Sequence, residues 1–120
     1  MEKLYDLSAI EMMDDNEYVA DILKTFLETT PVEMNDLRKA CVSGDHNRIN
    51  QAAHKLKSSA GLLEATNLMQ VLTKIEQQAK AGENEEFSLM AVQANEEYKK
   101  IESPLKEYLK FVQAQLRVNA

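Results

Sequence analysis

Apolar residues along this chain recur at intervals of three and four rather than alternating, the signature of helices with one buried face. Val19, Ile22, Leu23, Phe26 and Leu27 share one such face, and Met34, Leu37 and Cys41 form the next stripe. A third comprises Ile49, Ala52, Ala53, Leu56, Ala60 and Leu63, and a fourth Leu68, Leu72, Ile75 and Ala79. The longest stripe starts at Phe87 and Met90 and keeps the same spacing through Ala94, Tyr98, Ile101, Leu105, Tyr108, Val112 and Leu116.

Polar residues and the few breakers set the boundaries. Ser8 and Glu11 read as a capping box over a short opening helix, and Asp14, Asp15 and Asn16 then interrupt it and offer caps for the next. Thr30, Pro31 and Glu33 read as a fresh helix start, with proline at the first helical position and a second capping box. Gly44 is a stop, Asp45 a cap, Glu64–Thr66 a break and Gly82 another end. Pro104 falls inside the last stripe without disturbing its register, which predicts a kink there rather than a stop. The alternative is a separate terminal helix capped by Ser103. Four longer amphipathic helices joined by short loops predict an all-α, antiparallel up-down four-helix bundle, with one or two short additional N-terminal helices.

Composition narrows this further. The 120 residues include 3 Gly, 2 Pro and no Trp, too few turn residues for a sheet protein, and the length suits a single domain over 1–120. With 44% hydrophobic and 28% charged residues the chain is a folded soluble type. The 14 basic against 20 acidic residues give a net charge of -6, and no basic stripe offsets it, which excludes nucleic acid as the expected partner. No apolar run approaches the roughly 20 residues of a membrane span. The amphipathic faces that would lie on a bilayer are required by the core, so no membrane partner is expected. The single cysteine, Cys41, sits in an apolar stripe and reads as a core residue in a reducing compartment. The N-terminal MEKLYDLSAIEMM has early charges and no sustained apolar stretch, which reads as cytoplasmic.

His54 does not point where a core histidine would. At ~100° per residue, and with the third stripe set to zero, His54 falls at roughly 140° and faces solvent. On the same wheel Ser58 is near 180°, Gly61 near 120°, Asn50 near 100° and Lys57 near 80°. A reactive ring is thus flanked by small residues, Ser58 and Gly61, which leave room for a protein surface to come close. Glycine within a helix costs about 1 kcal/mol relative to Ala, so Gly61 calls for a reason, either this approach or close helix packing. Neutral imidazole is a nucleophile near neutral pH. The Lys57 ammonium would disfavour imidazolium and stabilise an incoming phosphoryl group. A plain surface histidine beside a solvated lysine is the competing interpretation.

The segment Ala53-His54-Lys55-Leu56-Lys57-Ser58-Ser59-Ala60-Gly61-Leu62-Leu63 resembles the signature of the histidine-containing phosphotransfer (HPt) domains of bacterial phosphorelays. Leu68, Leu72, Ile75 and Glu76 are similar to that family's next helix, and Tyr18 through Asn50 follows its layout. The resemblance implies that His54 accepts a phosphoryl group from a receiver-domain aspartate and passes it to another. The implied partners are response-regulator receiver domains and a hybrid sensor histidine kinase. It further associates Lys57 with the phosphoryl group and Ser58 with receiver docking. Lys55, Lys57 and Lys80 would complement an acidic receiver site, and Gln77 or Lys80 would face His54 from the following helix. Ser58 replaces a glycine common in the family, and Glu64 stands where a glycine often precedes Ala65.

Motifs for other chemistry are missing. His46 lies eight residues from His54, and Ser43 and Gln51 stand three before each, so neither an i,i+4 metal pair nor an E-x-x-H site exists. H-E-x-x-H and glycine-rich phosphate loops are also absent, so no metal, no cofactor and no small-molecule enzyme activity is expected. The acidic stretch 83–86 reads as a solvated helix start. The rival function is a non-catalytic helical adaptor, or an HPt-like protein that binds signalling partners without phosphotransfer. The joint presence of His54, Lys57 and Ser58 argues against it.

Overall fold

The computed structural model describes residues 4–83 and 86–118. It contains α1 (Ser8–Glu11), α2 (Asn16–Ser43), α3 (His46–Leu62), α4 (Thr66–Lys80) and α5 (Phe87–Val118), with no strand among the described residues. Residues 84 and 85 of the acidic stretch 83–86 lie outside the described residues.

Side-chain caps start the second and third helices. The Asp15 carboxylate accepts from the Glu17 and Tyr18 N–H groups, and Asp45 accepts from Asn47 and Arg48. Gly44 closes α2 with φ 73, a left-handed turn in which glycine carries no Cβ penalty. Glu64 adopts φ 46 in the turn between α3 and α4. The residue that stands where the family it resembles often has glycine has therefore taken the backbone conformation glycine favours.

Two expectations about helix starts need correction. Ser8 is the first residue of α1 rather than its cap, and Leu7 occupies the cap position without a side-chain bond. The Ser8 N–H donates to Asp6 Oδ1 at 2.9 Å instead. The second correction is larger: no helix begins at Thr30. α2 runs unbroken from Asn16 to Ser43 with Pro31 inside it. Phe26, Thr30, Met34, Leu37 and Cys41 are all buried on one continuous face, so tertiary packing outweighs a local proline cost of about 3 kcal/mol. Glu33, expected to close a capping box, is buried and accepts from Ser59 Oγ of α3 at 3.3 Å. The result is one short N-terminal helix before four long ones. α5 likewise continues through Pro104 without a stop.

α3 packs most extensively on α4, and α2 on α5, while α2–α3 and α4–α5 contacts close the square. Each chain neighbour is thus a spatial neighbour, the up-down arrangement that short connections dictate. Leu23, Leu37, Ile49, Leu56, Leu63, Leu68, Leu72, Ile75, Ile101 and Leu105 are fully buried at its centre. The N-terminal segment is tied under the α3–α4 turn by the Asp6 N–H, which donates to Leu63 O at 2.8 Å. Leu7 and Ile10 bury there. Cys41 is buried as expected, and burial pushes its thiol up to about 11. A thiol held protonated in this way is a packing group rather than a nucleophile. Among the described residues, no helix is long and apolar enough to cross a membrane.

Candidate functional site

The inward stripe of α3 fixes what its outer face displays. Ala53 and Leu56 are sealed in the core, and this turns His54 between them outward, with 65% of its side chain exposed. Its partner comes from α4. Ile75 and Ala79 face the core, and Glu76 stands on the edge of α4 that borders α3.

Glu76 bonds to two side chains of α3 at once. Its Oε2 lies 2.7 Å from His54 Nδ1, and its Oε1 accepts from Lys57 Nζ at 2.8 Å. The bond from Lys57 is the largest cause holding the Glu76 carboxyl below its ordinary value; partial burial opposes this and the bond to His54 reinforces it. An ionised carboxylate only accepts hydrogen bonds, so Nδ1 must carry the proton. In the neutral ring this leaves the lone pair on Nε2, the nitrogen away from α4. Lys57, expected to stabilise the phosphoryl group, shares this carboxylate with His54. Its charge is already engaged by Glu76, and the group that directs the imidazole is a carboxylate.

The remaining expected residues separate into those beside His54 and those elsewhere. Ser58 stands one turn on, and its hydroxyl donates to His54 O at 3.1 Å, which ties it to its own helix. Lys55, Ser58 and Ser59 line a groove with His54, whose opposite wall is Val32 and Glu33 of α2. Gln77 lies round the helix from the site, in a different groove with Met69 and Thr73. Lys80 is an exposed residue of the last turn of α4. The α4 contact to His54 that Gln77 or Lys80 was expected to supply comes from Glu76. Gly61 is half-buried against α4, where an added Cβ would meet Met69 Cε at 3.8 Å. Gly61 thus has a packing neighbour on α4, and Ser58 is the small residue one turn from His54. The other histidine, His46, serves the fold: its Nε2 bonds to Glu83 O at 2.8 Å, and its ring meets Phe87 edge-on.

Comparisons with known proteins bear on the fold and the family. The family model of the Hpt domain matches residues 21–108. The crystal structure of histidine-containing phosphotransfer protein B (HptB) from Pseudomonas aeruginosa PAO1 matches in fold with a TM-score of 0.84. The two are 20% identical, and the match covers 92% of this chain and 97% of that one. No curated protein sequence matches. With the family model spanning α3, α4 and most of α2 and α5, the chain belongs to the Hpt domain family, whose work is histidine phosphotransfer in phosphorelay signalling.

Proposed function

We propose that His54 is the phosphoryl-carrying residue, taking the group from a receiver-domain aspartyl phosphate on Nε2 and returning it to another receiver. The observation that carries this reading is the Nδ1–Glu76 bond on an otherwise exposed ring. It supplies a nucleophile whose free lone pair faces a visiting protein without any proton first being removed.

In the step itself, the Nε2 lone pair forms the N–P bond while the P–O bond to the aspartyl carboxyl breaks. The bonding electrons leave on the carboxylate oxygen. Nδ1 keeps its proton, so positive charge develops on the ring, and the Glu76 carboxylate 2.7 Å away stabilises it. A protonated phospho-imidazole is also a good leaving group, so the same bond assists onward transfer. Lys57 holds Glu76 and contributes positive potential near the phosphoryl oxygens. Lys55 and the small Ser58 border the surface a receiver would cover, and the receiver supplies the phospho-aspartate and its metal ion. The partners inferred are receiver domains and a hybrid sensor kinase, in the cytoplasm.

Incubation with a phosphorylated receiver domain tests this. The wild-type chain should take up acid-labile label and the His54→Gln variant none. No label on the wild type, or equal label on both, overturns the proposal and favours the adaptor reading.

A further inference from the structure

Three residues of α3 converge on one residue of α4. Asn50, His54 and Lys57 occupy positions i, i+4 and i+7 of one helical edge, and each bonds to Glu76. The last two hold its carboxylate. Asn50 does something different: its Nδ2 donates to the Glu76 main-chain oxygen at 2.9 Å.

That bond is the one hydrogen bond among the described residues that joins an α3 side chain to the α4 backbone. Apart from this bond and the two to the Glu76 carboxylate, these helices pack through apolar side chains, Ile49, Ala53, Leu56 and Ala60 of α3 and Leu68, Leu72, Ile75 and Ala79 of α4 all being buried. Burial is non-directional and sets no strict height of one helix against the other. A hydrogen bond to a fixed carbonyl does, because it weakens steeply with misalignment. Asn50 is also half-buried, so water competes poorly for its amide. The Glu76 carbonyl has two lone pairs and can accept this bond beside its intrahelical one.

We infer that Asn50 is a positioning residue for phosphotransfer: it fixes the height of α4 so that the Glu76 carboxylate meets Nδ1 of His54 and holds the ring with its proton there. It acts through Glu76 and touches neither the phosphoryl group nor the reacting nitrogen. The role rests on the proposed function of His54, but its consequence for the ring exists before any phosphate arrives.

Nitrogen-15 NMR of labelled histidine reads that consequence directly. Neutral His54 in the wild type should be mainly the Nδ1–H tautomer. Asn50→Leu removes the donor, and the near-isosteric Asn50→Asp replaces it with an acceptor when ionised. The aspartate variant keeps the test available if the leucine variant does not fold. In either folded variant the Nε2–H tautomer should gain population, and label uptake from a phosphorylated receiver should fall about tenfold, the scale of a small misplacement of a reacting group. A wild-type tautomer and rate in folded variants, with only a lowered melting temperature, would show Asn50 to be merely structural and overturn the inference. If the tautomer shifts but the wild type takes no label from any donor, the proposed function fails while the positioning geometry stands.

Discussion

The Lys57 ammonium lies 2.8 Å from the same carboxylate that holds His54, so the cation and the imidazole are bridged by Glu76 rather than set against each other. Lys57 is 28% exposed and Glu76 only 17%, so this bond is partly shielded from water. The bridge makes the placement of each member depend on the other two.

Lys57→Ala removes the main group holding the Glu76 carboxyl low and, with it, one of the two side chains that fix that carboxylate on α3. The carboxylate then loses its strongest hold and the phosphoryl oxygens lose a nearby positive charge. Uptake from a phosphorylated receiver should fall at neutral pH. Uptake at the wild-type rate would remove Lys57 from the mechanism.

Acid should weaken the bundle through the same carboxylate. Its folded value lies below the ordinary 4.5, so the bonded, ionised form stabilises the fold above that value and the contribution is lost as pH falls through the folded value. Glu76→Gln should cost about 1–2 kcal/mol at pH 7, as loss of a charge-assisted hydrogen bond does. The deficit should shrink as urea titrations are repeated at progressively lower pH through that window. A deficit independent of pH would show that the ionised form of Glu76 adds nothing to stability.

Gly61 allows packing and docking to be told apart. The space beside it accepts a methyl group at ordinary contact distance from Met69, and its φ is not left-handed. Gly61→Ala should raise stability by up to about 1 kcal/mol through helix propensity, seen as a higher melting temperature. Phosphotransfer from a receiver should stay at the wild-type rate. A well-folded variant with a slower transfer would return Gly61 to the docking surface.

The buried stripes were legible because helical periodicity records which face each helix hides, and Leu68, Leu72, Ile75 and Ala79 are all buried. The outward direction of His54 follows from that record alone. Pro31 misled because cap and proline signals are local, whereas the continuity of α2 is decided by a face that runs from Phe26 to Cys41. Glu76 was visible as a family-like residue, yet nothing in its own helix said it would meet His54. That meeting depends on the relative height of α3 and α4, a quantity no single-helix pattern contains. The signal available was its position directly after buried Ile75 on an otherwise amphipathic helix.

α3 and α4 have 17 and 15 residues, α2 and α5 have 28 and 32, so the longer pair outruns the shorter by roughly 15–25 Å at helical rise. The molecule is four helices thick only over the length that carries His54. Local opening costs least where fewest elements pack, which makes the thinner half the expected place for it. A receiver docking as proposed would meet a braced platform at His54, with the compliance of the protein displaced along its long axis to where no group has to be aimed.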